Sequence, residues 1–137
     1  MYKQWTNVSA STRKSMRANK QRNTKPEMVV RRIVYGLGYR YRLHRKELPG
    51  TPDIVFQSRR KIIFVHGCFW HGHNCRPIHK TKTRIDYWMK KINNNIFRDS
   101  IALESLQKLG WETIVIWECE TRNLSLLAER VKLFLES

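Results

Sequence analysis

The residues best equipped for chemistry form two groups. Cys68, His71, His73 and Cys75 fall within eight residues, His79 lies just beyond, and Cys119 stands far along the chain. Three thiols and several imidazoles suit Zn²⁺, which takes four tetrahedral sulfur and nitrogen ligands in structural sites. The set that uses every thiol is Cys68, His73, Cys75 and Cys119. It would tie a long polar loop to the end of a core strand, so the metal's binding energy would become folding energy. The spacing C-x₄-H-x-C is not that of a standard finger. The competing reading keeps Cys119 as a core thiol and the histidines as loop residues. His71 is left over from the zinc set and is available for other chemistry.

The second group centres on Asp53, which follows Pro52 at the mouth of a strand. The next strand ends at Phe64-Val65-His66. In a hairpin the start of one strand opposes the end of the next, so these positions should meet. Phosphodiester cleavage needs a Lewis acid at the phosphoryl oxygen and a base for water. A carboxylate such as Asp53 can hold Mg²⁺, a hard ion that favours oxygen. A histidine, whose ordinary pKa is about 6.5, can take the proton. A second acid such as Asp99 can fix that histidine's tautomer. The plainer reading is that Asp after Pro is a common turn residue.

Charge narrows the partners. The chain has 27 Lys and Arg against 11 Asp and Glu, a formal net charge of +16. So basic a surface repels itself unless it meets a polyanion. No apolar run approaches the roughly 18 residues of a spanning helix, which argues against a membrane. The polar N-terminus lacks the apolar core of a secretory signal, so a cytoplasmic protein with reduced thiols is expected. An odd number of cysteines also argues against a disulfide framework. Residues 1–25 carry seven Lys or Arg and no acid. They read as a solvated tail or as a basic arm, over 1–23, that orders on nucleic acid. Trp5 and Met16 are its apolar exceptions.

The elements that must position these residues follow from pattern. At 137 residues and 41% hydrophobic, the chain suits a single domain, over 24–137, and a domain of this size buries roughly 70% of its chain surface. Thr24, Pro26 and Glu27 are N-terminal helix signals, and Gly36 or Gly38 ends that helix. A short strand is expected over 39–43, strands over 53–56 and 61–65 joined by a turn at 57–60, and a long helix over 84–109. The stripe Met89, Ile92, Ile96, Leu103 and Leu106 should be its buried side. Trp88, Lys91, Asn95 and Asp99 share another face, which reads as a DNA-facing surface or as a solvated one. A buried strand over 111–117, ending at Cys119, and a final helix over 124–135 complete an α/β domain with a mixed sheet. Phe69 and Trp70 are large apolar residues in a polar loop. They would cover the zinc site or wedge into a base stack, where unstacking costs least at a mismatch.

Pro52-Asp53 resembles the Pro-Asp…(Asp/Glu)-x-Lys arrangement of restriction-like nucleases, with Phe64 and His66 in place of the second acid and the lysine. A larger match runs through Leu48-Pro-Gly-Thr-Pro-Asp53, Phe64-Val-His-Gly-Cys-Phe-Trp-His-Gly-His-Asn-Cys75, Tyr87-Trp88-Met-Lys-Lys91, Asn95-Ile-Phe-Arg-Asp99, Leu109-Gly-Trp111 and Val115-Ile-Trp-Glu-Cys119. In order and spacing, these segments resemble the very-short-patch-repair (Vsr) mismatch endonucleases from about residue 11 to 135.

The resemblance implies a restriction-endonuclease-like fold and nicking 5′ of the T in T:G mismatches left by deamination of 5-methylcytosine. It implies that Asp53 and the Val65 backbone carbonyl hold Mg²⁺. His71 would be the general base, His66 the contact to the scissile phosphate, and Asp99 the residue that orients a histidine. Glu27 would stand close behind. Cys68, His73, Cys75 and Cys119 would hold structural zinc. Met16, Arg17, Phe69, Trp70, Trp88, Lys91 and Asn95 would meet double-stranded DNA. A monomer is expected, with mismatch-repair proteins as possible partners. The sequence departs from the family pattern at Val65, where the family has Thr. A role for the backbone carbonyl tolerates that change, and a role for the hydroxyl does not. Two other readings stay open: a zinc-stabilised DNA-binding module without activity, and a restriction-type nuclease without mismatch preference.

Overall fold

The computed structural model describes residues 23–68, 71, 73 and 85–137. The expectations for Met16, Arg17, Phe69, Trp70, Cys75 and His79 lie outside the described residues.

Helix α1 spans Lys25–Gly36. The Thr24 side chain accepts from the Glu27 amide at 3.3 Å, satisfying one of the helix's unpaired donors. Val30 and Val34 face inward, and Glu27 is buried with them. The chain then leaves the helix through Gly38, whose φ is 90°.

Strand β1 is only Arg42–Leu43, shorter than the 39–43 expected. Its partner β2 is Ile54–Phe56, with Pro52 just before it. In the β1–β2 register residues 39–41 would face 56–58, where β2 ends and the 57–60 turn begins, so the ladder has no partner there. Tyr39 and Tyr41 instead turn their rings edge-on to Phe56. Strand β3, Lys61–His66, pairs antiparallel with β2. Helix α2, Ile85–Lys108, lies between β3 and strand β4, Glu112–Trp117, which pairs parallel with β3. The strand order is β1-β2-β3-β4, a mixed sheet. Beyond β4, a 3₁₀ turn at Glu118–Arg122 leads into helix α3, Leu124–Glu136. Cys119 therefore sits on that turn, not at the strand's end.

Alternation along β3 feeds two cores. Ile63 packs with Val30 and Val34 of α1 and Leu127, Val131 and Leu135 of α3. Ile62 and Phe64 pack on the other face with Leu106 of α2 and Trp111. Helices therefore cover both faces of the sheet. β4 is an edge strand in which Ile116 alone is fully buried, so it is less buried than its apolar sequence implies.

Two local features shape the end of the sheet that carries Asp53. Gly50 has φ +77°, and a Cβ there would meet the Ala102 Cβ at 2.7 Å. Glycine lets the turn before Asp53 press directly on α2. The inward side of α2 also differs from the expected stripe. Trp88, Ile92, Ala102 and Leu106 are buried, while Ile96 is 44% exposed. Trp88, Asn95 and Asp99 thus lie along the buried line itself, because helical spacing aligns them with Ile92, Ala102 and Leu106. The DNA-facing expectation for Trp88 is corrected: at 5% exposure it is interior, with its ring edge-on to Tyr87.

Candidate active site and thiol cluster

The parallel strands β3 and β4 finish side by side at His66 and Trp117. The antiparallel β2 begins next to that end. Asp53 therefore meets β3 as the hairpin predicts, and the Val65 amide donates to Asp53 Oδ2 at 2.8 Å.

Asp53 is 8% exposed and Glu27 is 1% exposed. Burial pushes the Asp53 carboxyl up to about 7, against the Val65 hydrogen bond that favours its charged form; the neighbouring Glu27 raises it further. Two buried acids in contact need a proton or a cation between them. Oxygen donors of this kind fit Mg²⁺. Glu27 is itself held from three sides. The Asn23 amide donates to Oε1 at 3.0 Å, His44 Nε2 lies 2.8 Å from Oε2, and Arg31 Nη1 lies 3.5 Å from Oε2. His44 escaped the sequence reading. It stands on the far side of the Pro-Gly turn from Asp53, in no periodic pattern, and only the β1–β2 pairing brings it near.

The histidines form a second group beside the acids. The rings of His66 and His71 stack, with centroids 3.9 Å apart and planes 6° from parallel. His71 Nδ1 is 2.6 Å from Asp99 Oδ2. A carboxylate oxygen accepts, so this contact suits a ring whose Nδ1–H donates to Asp99. Asp99 reaches this position because it lies on the inward side of α2. His66 Nδ1 is 3.8 Å from the same oxygen, too far for a hydrogen bond. Burial and the adjacent His71 push His66 down to about 4, partly opposed by Asp99. At neutral pH His66 is an uncharged ring.

The third group is the thiol cluster. Cys68, fully buried, accepts from the Cys119 amide at 3.4 Å. Cys119 Sγ is 3.6 Å from His73 Nδ1. One ligand atom from each of Cys68, His73 and Cys119 lies within 4.8 Å of the others. Two thiols and an imidazole, converging with an N–H on sulfur, fit a zinc site that takes one more ligand. His73 also stacks on Trp117, with centroids 4.2 Å apart, which ties the loop to the end of β4. The two neighbouring histidines point to different groups: His71 lies against Asp99 and His73 against the Cys119 thiol. Lys91 and Asn95 are half-buried on α2.

An α/β sheet with paired acids, a carboxylate-oriented histidine and a thiol cluster at one end defines a class of hydrolase-like sites. The particular family follows from similarity. Residues 7–77 match the family model described as DNA mismatch endonuclease Vsr. The chain is 50% identical over 121 residues to the type II nicking enzyme V.XorIIP of Xanthomonas oryzae pv. oryzae, covering 88% of this chain and 89% of that protein. It is 42% identical over 110 residues to the type II nicking enzyme V.NmeAIP of Neisseria meningitidis, covering 80% and 79%. It is 38% identical over 120 residues to the DNA mismatch endonuclease Vsr of Escherichia coli, covering 88% and 77%. The chain belongs to the DNA mismatch endonuclease Vsr family, which places it among DNA endonucleases.

Proposed function

We propose that the protein is a Mg²⁺-dependent endonuclease that nicks one strand of duplex DNA 5′ of the T in a T:G mismatch. The observation that carries this reading is the His71–Asp99 pair, 2.6 Å apart, beside the buried Asp53. His71 Nε2 takes a proton from the attacking water, and Asp99 stabilises the imidazolium that results. His66, uncharged because it is buried, contacts the scissile phosphate through a ring N–H. Asp53, with the Val65 backbone carbonyl, would hold Mg²⁺, whose chemistry is to polarise the phosphoryl oxygen. Glu27 stands behind Asp53 and completes the acid pair. Val65 keeps a carbonyl where the family pattern has Thr, so the missing hydroxyl leaves this role intact.

Structural zinc on Cys68, His73, Cys75 and Cys119 would hold the loop that carries His71. The basic arm over 1–23, with Met16 and Arg17, meets DNA along with Phe69 and Trp70, while Lys91 and Asn95 serve from α2. The net charge of +16 supports a polyanionic partner. In the complete reading a monomer acts in the cytoplasm on mismatches left by deaminated 5-methylcytosine. Among the described residues no helix is long and apolar enough to cross a membrane.

A nicking assay on matched T:A and mismatched T:G duplexes tests the reading. Selective nicking of T:G is the expected outcome. Equal cleavage of both would make the protein a restriction-type nuclease without mismatch preference. Binding without cleavage would make it an inactive DNA-binding module.

A further inference from the structure

His44 follows β1 with a backbone φ of +48°, a left-handed conformation uncommon outside glycine, though histidine is among the residues enriched there. Its amide donates to the Asp53 carbonyl at 3.2 Å, while its ring reaches α1, with Nε2 2.8 Å from Glu27 Oε2. One backbone turn thus binds His44 to both members of the acid pair. One ligand atom from each of Glu27, His44 and Asp53 lies within 4.8 Å of the others. Strained backbone of this kind persists where the surroundings over-determine it, and it concentrates at functional sites.

Two carboxylates and one imidazole are not the donor set that Mg²⁺ prefers. Mg²⁺ keeps oxygen ligands and several waters. Imidazole suits first-row transition ions, whose affinity for nitrogen is greater. We propose that Glu27, His44 and Asp53 form a divalent-cation site in which His44 is a direct nitrogen ligand, and that His44 makes this site favour Mn²⁺ over Mg²⁺. The inference rests on the reading of Asp53 as a metal carboxylate. Ligation requires any proton on His44 Nε2 to leave that atom, shifting to Nδ1 in the neutral ring or passing to solvent from the charged one, since the ligand is the neutral imidazole.

Mn²⁺ is the probe. Full-length, zinc-loaded protein is titrated with Mn²⁺ without DNA and followed by pulsed electron paramagnetic resonance. A coordinated imidazole gives ¹⁴N modulation of the Mn²⁺ echo. The expected result is modulation in the unsubstituted protein that disappears in His44→Gln and His44→Asn. Mn²⁺ affinity should fall about 10-fold or more, with a smaller loss for competing Mg²⁺. Asn tolerates the left-handed backbone, so His44→Asn keeps the turn while removing the ring. Circular dichroism and zinc content check that both variants fold. Absence of ¹⁴N modulation in the unsubstituted protein, or its persistence in both variants, overturns the ligand role of His44 and leaves Asp53 untouched. Asp53→Asn separates the two readings: unchanged Mn²⁺ binding in that variant overturns the metal role of Asp53 and this site with it.

Discussion

The acid centre and the thiol cluster are built by opposite means. Glu27, His44 and Asp53 sit on or beside α1, β1 and β2, and their backbone is fixed by caps, ladders and the core beneath. Burial there works against the charges it holds, as the raised Asp53 carboxyl shows. Cys68 and His73 stand instead at the start of a loop with little apolar content. They are held by contacts to one another, to Cys119 and to Trp117. The difference separates positioning by the fold, which tolerates destabilising groups because the core is strong, from positioning by contacts that the loop's own polar groups make with one another and with the end of β4. The His66–His71–Asp99 group lies between them and borrows from both: His66 and Asp99 come from regular elements, and His71 comes from the loop.

The sharpest break is a pair of substitutions. Asp53→Ala should abolish nicking while the protein stays folded and binds duplex DNA, because removing an anion near phosphate takes away no attraction to the DNA and only one hydrogen bond, from the Val65 amide, is lost within the fold. Cys119→Ser should lose the bound zinc, which elemental analysis should find at one per chain in the unsubstituted protein, and should lower the melting temperature steeply, since the metal's binding energy is folding energy. If Asp53→Ala unfolds the protein or Cys119→Ser leaves zinc and stability intact, the division between the two regions fails.

A second pair tests the boundary. His71→Ala should slow single-turnover nicking by about 10²–10⁴-fold, as removal of a general base does, with zinc content unchanged. His73→Ala should lose zinc. The reverse pattern would exchange their roles.

The smallest effect concerns pH. Asp53 is raised from 3.8 to about 7, so the folded state binds more protons than the unfolded one between those values. Its contribution to stability is full below about 4 and is lost as pH rises through 7. His66 is lowered from 6.5 to about 4, so its contribution is present above 6.5 and is lost as pH falls toward 4. The two slopes oppose each other over most of that window. Denaturant unfolding without added Mg²⁺ should therefore vary little with pH in the unsubstituted protein. Asp53→Asn should expose the His66 slope, with stability rising from about pH 4 to 6.5. A flat profile in that variant would mean that His66 is not held uncharged by burial.

Local chemistry was legible in the sequence wherever neighbouring residues decide it. The α1 cap at Thr24, the β2–β3 hairpin, the stop at Gly110 and the extent of α2 all follow from propensity and period. What the sequence could not decide are the relations between segments distant along the chain. Helical spacing placed Trp88 and Asp99 on one face but could not tell which face the sheet would cover. The covered side holds both, turning Trp88 into core and aiming Asp99 at His71. Nor could spacing bring His44 to Glu27, since that contact depends on β1 pairing with β2 while α1 packs on one face of the sheet. Periodicity records which side chains of one element share a face; only the packing of elements decides what that face meets.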